Sequence, residues 1–374
     1  MLWKIAVIAD IHFGALSSMT TQLYNNLHTY FLDKLKEMQP NLIVIAGDYW
    51  HLKLPLTSIE SQLGISFMKE LDATFPTTYK LVIKGTDSHD LNQLDVFKSM
   101  ENKYFRIYNH FQVEYLDDLK LLIIPEEYFP SKDVYKEVLN PPEKYDMAFF
   151  HGLFSFAGNY ALKSGNKFNK ICFNSSEFEN IVYGKVIGGH VHDPLCSDVK
   201  SLKDSPLVMY TGSFERWKHG EELLKGWRYI EYDSDSKKIV KNIFEINHGA
   251  SKYITLSYKV FDCKNIDNLI EEIDKESKDK TSLRIKINRE DNITDSEINN
   301  LIAASMKFNN VVLYKESKIS SKNNDDEMAE EENARKERIS EYRDMSFNQI
   351  TKKFAKDELG CVITDEDISN ALTD

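Results

Sequence analysis

Residues 4–12 read KIAVIADIH, an apolar, β-branched run that ends on an aspartate and, two residues later, a histidine. A run of this kind is the mark of a strand buried on both faces, and it sets Asp10 and His12 at the strand's carboxyl end. Residues 42–48, LIVIAGD, repeat the pattern and end on Asp48. Between the two runs, Leu23, Leu27, Phe31, Leu32 and Leu35 recur at helical spacing within residues 21–38. The chain therefore opens as β-α-β, which predicts an α/β catalytic domain.

Further short apolar runs lie at 81–83, 121–124, 147–150 and 182–187, and most lead into a polar cluster. Gly85-Thr86-Asp87-Ser88-His89-Asp90 follows the first, His151-Gly152 the third, and Gly189-His190-Val191-His192 the fourth. A lone Asp-x-His pair is weak evidence of a site, since a surface acid beside a chance histidine looks the same. Five strand ends carrying acids and histidines describe one active-site rim. Gly47 permits the tight turn before Asp48, whose carboxylate is placed to bridge two cations. Alternation puts His190 and His192 on one side of their strand end.

These donors explain one another chemically. Neutral imidazoles and carboxylates suit Mn, Fe or Zn, and the absence of cysteine donors argues against a structural zinc site. With Asp48 shared, there are ligands for two cations, a pair that can clamp a phosphate in an in-line displacement. His89 then reads as the histidine that stabilises charge on the phosphate or protonates the leaving alkoxide, with Asp90 orienting its ring. Trp50 and His51 could shape a substrate groove, although packing explains them equally well. His28, His110, His219 and His248 read as structural, and Arg216-Trp217-Lys218 as a solvated loop rather than a DNA contact.

The rest of the chain reads as appendages. Residues 206–247 turn to a β pattern with a hairpin about 233–237, and the catalytic domain is expected to end near His248. Residues 249–315 predict a small α+β unit with strands at 253–258, 283–287 and 311–314 and helices at 266–275 and 296–308. Thr294 and Glu297 form a capping-box start for the second helix. Residues 316–344 are crowded with mixed charge and predict a solvated linker. Phe347, Ile350, Phe354 and Leu359, then Ile363, Ile368 and Leu372, predict a helical tail over 345–374 that needs a surface to pack on.

At 374 residues the chain exceeds what one core usually holds, in keeping with several units. A net charge of −12 excludes a broadly basic nucleic-acid coat, since non-specific affinity comes from Lys and Arg on phosphate. DNA remains open as a substrate, because bound cations or a basic partner can offset the charge locally. No run approaches the roughly 18 apolar residues of a membrane span. The start lacks the pattern of a signal peptide, so a cytoplasmic protein with no membrane partner is expected. Four scattered cysteines without a CxxC pair support neither a disulfide framework nor a thiolate metal site.

The order DxH, GD, (S)HD, HG, GHxH over about residues 1–245 resembles the calcineurin-like metallophosphoesterases. GDYWHLKLP at 47–55, and YTGSFER with LLKGW at 210–216 and 223–227, look like the SbcD branch, DNA-repair and recombination nucleases of bacteria, archaea, eukaryotes and bacteriophages. The resemblance implies a four-layer α/β/β/α sandwich over 1–248, a capping, DNA-binding domain over 249–315, a linker over 316–344 and a helical tail. By the resemblance the tail at 345–374 docks on an SbcC-type coiled-coil ATPase, and the nuclease works as a homodimer. It implies two Mn²⁺ ions, one held by Asp10, His12, Asp48 and His192, the other by Asp48, His151 and His190, with His89 catalytic. At Ser88 the family usually has an asparagine whose amide oxygen binds the second metal; either Ser88 fills that place, or Asp87 does, or water does. The implied activity is 3′-to-5′ double-strand exonuclease and single-strand or structured-DNA endonuclease. Two alternatives stand beside it: a phosphodiesterase acting on small nucleotides or phosphoproteins, and a catalytically weak scaffold for the ATPase.

Overall fold

The computed structural model describes residues 1–90, 92–157, 171–198, 205–221, 223–257, 281–288, 296 and 309–316. Its strands are β1 (Leu2–Ile8), β2 (Leu42–Ala46), β3 (Tyr79–Ile83), β4 (Phe105–Tyr108), β5 (Gln112–Leu116), β6 (Leu119–Ile124), β7 (Met147–His151), β8 (Leu153–Phe154), β9 (Cys172–Phe173), β10 (Val186–Gly189), β11 (Val208–Tyr210), β12 (Gly226–Asp233), β13 (Lys238–Ile246), β14 (Lys252–Ser257), β15 (Thr281–Asn288) and β16 (Asn309–Glu316). The first large sheet has the order β13-β12-β1-β2-β3-β4, parallel from β1 to β4, with the β12–β13 hairpin antiparallel along β1. The second has the order β11-β10-β7-β6-β5, parallel except for β5.

Alternation along the strands explains why the two sheets pack face to face. Ile5 and Val7 of β1, Leu42 and Val44 of β2, and Leu81 and Ile83 of β3 share one apolar cluster with Leu121 and Ile123 of β6 and Met147 and Phe149 of β7. The intervening residues point the other way. Ala6, Ile8, Ile43, Ile45 and Val82 pack beneath the helices, while Leu122, Ile124, Ala148 and Phe150 enter a third cluster on the far side of the second sheet. Strands buried on both faces are the reason the sequence shows continuous apolar runs rather than alternation.

The helical layer holds α1 (Thr20–Leu27), α2 (Asp33–Met38) and α3 (Ile59–Thr74). Leu23, Leu27, Phe31, Leu32 and Leu35 all face the core. The helix expected to run unbroken over 21–38 contains a π turn at His28–Leu32. Residues four apart drift about 40° per step around a 3.6-residue helix, and a wider turn removes that drift, so both Phe31 and Leu32 stay inward. Gln39 closes the helix in the left-handed conformation, just before Pro40.

The run at 182–187 begins its strand later than expected, at Val186. Val182 makes only an isolated bridge to Tyr145, and at Gly184 the chain passes so close to the Asp146 carbonyl that a Cβ would lie 2.9 Å from it. The expected hairpin joins β12 to β13 across residues 234–237. The third sheet has the order β14-β15-β16, with β14 parallel to β15. The helices expected at 266–275 and 296–308, apart from Ser296, and the linker and tail from 317 onward lie outside the described residues. By internal contacts the chain divides into Met1–Ile287 with Asp291–Tyr314, and Asn288–Glu290 with Lys315–Asp374. Among the described residues, Cys172 and Cys196 are free thiols, and no helix is long and apolar enough to cross a membrane.

Candidate metal centre

The carboxyl ends of β1, β2, β3, β7 and β10 converge on one point. At these ends the backbone leaves the strand abruptly: Asp10 (φ 51°), His12 (φ 55°), Asp48 (φ 51°) and His190 (φ 97°) all adopt the left-handed region. They are four of the eight non-glycine residues that do so among the described residues, and such backbone gathers where side chains must be aimed rather than simply packed. Main-chain bonds lock the turns together. Asp10 N–H donates to the Gly47 carbonyl at 3.1 Å, His12 N–H to the Asp48 carbonyl at 3.0 Å, and His190 N–H to the Asp10 carboxylate at 3.0 Å.

Two groups of donors result, Asp10–His12–His192 and Asp48–His151–His190, each with its nearest ligand atoms within 4.8 Å of one another. In the first, His12 Nε2 lies 3.0 Å from His192 Nε2, and Asp10 Oδ1 is 4.0 Å and 3.8 Å from these two nitrogens. In the second, Asp48 Oδ1 is 3.3 Å from His151 Nε2. Asp48 also faces the first group, its Oδ2 lying 3.9 Å from His12 Nε2 and 3.9 Å from His89 Nε2. A third trio, His12–His51–His89, shares His12 with the first.

Partners behind the rings fix which nitrogen faces the site. His151 Nδ1 lies 2.8 Å from the Ala46 carbonyl, so that nitrogen is the donor to it and Nε2 is the one that faces the site, where it takes up a proton or, without one, offers its lone pair to a cation. This Nε2 is buried, and Asp48 Oδ1 is the carboxylate oxygen beside it. His192 Nδ1 lies 2.9 Å from Glu221 Oε1, and Glu221 in turn is held by Lys225 Nζ at 3.3 Å and Trp217 N–H at 3.1 Å. Burial works against charge on Glu221, but the His192 contact and Lys225 prevail and hold its carboxyl down at about 2. Carboxylates in this position typically govern cation affinity by about 10–100-fold. Glu221→Gln is thus expected to weaken Mn²⁺ at the first group by about tenfold and leave the second group unchanged, as read by calorimetric titration.

Several sequence expectations are corrected here. Asp90 does not orient His89: its buried carboxylate accepts from Gly85 N–H at 2.8 Å, Trp50 N–H at 3.0 Å and Tyr49 N–H at 3.3 Å, tying two strand ends together. Burial and nearby Asp48 push its pKa up to about 6. The His89 ring is set instead by the His51 carbonyl, which its Nδ1 faces. Ser88 is exposed on the single-turn helix α4 (Asp87–Asp90), and the hydroxyl beside Asp48 belongs to Thr86, 3.3 Å from Oδ2. Thr86 N–H also donates to Asp48 Oδ1 at 2.6 Å. Trp50 is buried and stacked on Phe97, whereas His51 stands at the site, its Nδ1 3.4 Å from His12 Nδ1. Arg216 is half-buried and occupied by the carbonyls of Ser251 and Leu223 at 3.0 Å and 2.8 Å.

Glu126, Thr86 and Glu221 escaped the sequence reading. Glu126 had a signal, since Pro125-Glu126-Glu127 directly follows the apolar run 121–124 just as the other donors follow theirs. Glu221 had none, lying in a loop 29 residues from the histidine it supports.

The donor set fits divalent cations. Asp10, Asp48 and Glu126 are all buried within one pocket, an arrangement that needs compensating positive charge. Burial pushes the Asp10 carboxyl up and the His12 imidazole well down. At Asp48 the cost of burial is outweighed by His151, His12 and His89, which hold its carboxyl well below the usual range. At His151 burial is likewise outweighed, chiefly by Asp48, and the imidazole is pushed up to about 10. In the protein alone His151 supplies the missing positive charge as a proton; a cation at its Nε2 would replace it.

No protein-family model and no curated protein matches the chain. Among solved structures it is similar to a predicted phosphoesterase from Streptococcus pneumoniae, at 13% identity over 62% of this chain and 84% of that one, with a TM-score of 0.24. It is also similar to GAP50, the anchor in the inner membrane complex of Plasmodium, at 11% identity over 66% and 89% with a TM-score of 0.35. A third likeness is to a glutamine-dependent NAD⁺ synthetase from Acinetobacter baumannii, at 11% identity over 84% and 65% with a TM-score of 0.32.

Proposed function

We propose that the chain is a two-cation phosphodiester hydrolase acting on DNA, a nuclease that shortens double-stranded ends from the 3′ side and cuts single-stranded or structured DNA. The observation that carries the hydrolase reading is Asp48, one carboxylate oxygen toward His151 and the other toward His12, between two imidazole groups. The DNA substrate rests on the motif resemblance, as do the capping role of 249–315, homodimerisation and docking of 345–374 on an SbcC-type ATPase. Two divalent cations, Mn²⁺ foremost, would supply positive charge to both the attacking water oxygen and the leaving oxygen of an in-line displacement at a phosphodiester.

The side chains divide the remaining work by exposure. His151, Asp10 and His12 are at most 3% exposed and form the floor, whereas His190, His192 and His89 are 17%, 24% and 23% exposed and face the opening where a phosphate can enter. His89, with Nδ1 held by the His51 carbonyl, presents Nε2 to that opening. Protonated there, it can give its proton to the leaving alkoxide, a contribution typically worth about 10²–10⁴ in rate.

Purified chain with Mn²⁺ should shorten end-labelled linear double-stranded DNA from its 3′ ends. EDTA should stop the reaction, and His89→Ala should slow it by about 10²–10⁴. Absence of cleavage on every DNA form, with an SbcC-type ATPase present, would reject the nuclease reading. Turnover of a small phosphodiester in the same preparation would then point to small nucleotides.

A further inference from the structure

The Asp48–His151–His190 group has a carboxylate beside it that the motif resemblance does not supply. Glu126 lies just beyond β6, and its side chain is 3% exposed. Its Oε2 is 3.1 Å from His190 Nδ1, 3.9 Å from His151 Nε2 and 3.4 Å from Thr86 Oγ1. The Tyr128 hydroxyl donates to the other oxygen, Oε1, at 2.6 Å and so aims Oε2 inward.

Glu221 offers a comparison within the same site. It meets His192 at Nδ1, the nitrogen opposite the one that faces His12, as an orienting carboxylate does. Glu126 instead approaches two rings, and at His151 it approaches Nε2, the nitrogen left free once Nδ1 is engaged by Ala46. Its oxygen therefore shares the space toward which that lone pair points.

We infer that Glu126 is a ligand of the cation held by Asp48, His151 and His190, standing where the resemblance leaves a choice of Ser88, Asp87 or water. This inference rests on the two-cation reading. The position then carries two carboxylates and two imidazoles, a harder oxygen-rich set that suits Mn²⁺ better than an imidazole-rich one would. It also adds negative charge: Asp10, Asp48 and Glu126 together offset three of the four positive charges of two divalent cations. The remainder matches the single charge of a phosphodiester.

The test is titration of the metal-free full chain with Mn²⁺ and, separately, Zn²⁺, followed by calorimetry and by the Mn²⁺ electron paramagnetic resonance signal. Wild type should take up two equivalents. Glu126→Gln should keep one equivalent at wild-type affinity and weaken the other by about tenfold or more. Glu126→His, which offers an imidazole instead, should lower the ratio of Mn²⁺ to Zn²⁺ affinity at that equivalent by about tenfold. It decides the matter should Glu126→Gln fail to fold. Unchanged second-equivalent binding in both variants, or equal weakening of Mn²⁺ and Zn²⁺ in Glu126→His, would overturn the assignment as a ligand. Wild type that binds no cation would overturn the two-cation reading itself, a result distinct from either.

Discussion

Asp48→Asn is expected to lower phosphodiester cleavage by roughly a thousandfold, because the Asp48 carboxylate turns one oxygen to each donor group. The substitution keeps size and one carbonyl oxygen, so the bond from Thr86 N–H at 2.6 Å can persist and hold the turn after β2. What disappears is the charge between the groups. Both equivalents of Mn²⁺ should weaken together, in contrast to Glu221→Gln and Glu126→Gln, each of which acts on one. A ligand at 100 times its dissociation constant stabilises a fold by about 2.7 kcal/mol, so Mn²⁺ should raise the melting temperature of wild type and barely move that of the variant. Cleavage within tenfold of wild type at saturating Mn²⁺ would remove Asp48 from the centre of the reaction.

The layout explains why a single residue carries so much. Asp48 sits at the end of β2, with β1 on one side and β3 on the other, and the second sheet brings the end of β7 against it. Strands packed face to face through a dry apolar layer leave polar donors only at their ends, where the backbone turns and water or substrate can reach. The same dry layer makes the charges interact strongly. His151, buried beside Asp48, is thereby driven to hold a proton in the protein alone, and cation binding should release it.

Most of the candidate metal centre was legible in sequence because buried parallel strands write themselves as unbroken apolar runs, and each run points at the residue after it. Asp10, His12, Asp48, His151, His190 and His192 come from that one rule, and the structure draws them into two adjoining groups. The rule gives the position of a residue but not the direction of its side chain. Asp90 follows His89 directly, yet its carboxylate turns inward to the amides of Tyr49, Trp50 and Gly85, while a backbone carbonyl orients the histidine. The resemblance points to Ser88, at the place of the family's asparagine, whereas a one-turn helix exposes it and leaves Thr86, directly after Gly85, against Asp48. The π turn at His28–Leu32 is illegible for a related reason: the apolar spacing is the same for a drifting α-helix and for one corrected by a wider turn.

Gly47→Ala should damage the fold and the centre together, although the added group is one methyl. Gly47 has φ +86°, where an L side chain is strained by roughly 1–2 kcal/mol, and its new Cβ would lie 2.1 Å from His151 Nδ1. That nitrogen is pinned to the Ala46 carbonyl, and the ring is fully buried on β7, so it cannot swing aside without breaking its own hydrogen bond. Overpacking of this kind costs about 1–3 kcal/mol, and with the backbone strain the total should be about 3 kcal/mol, read as a lower urea midpoint. If β7 yields instead, His151 moves away from Asp48 and Mn²⁺ is lost from the second group first, while the Asp10–His12–His192 group keeps its affinity. A variant with wild-type stability and two undiminished equivalents of Mn²⁺ would mean that the turn after β2 does not press on His151, and that the close approach of the two sheets at this point does not set the geometry of the centre.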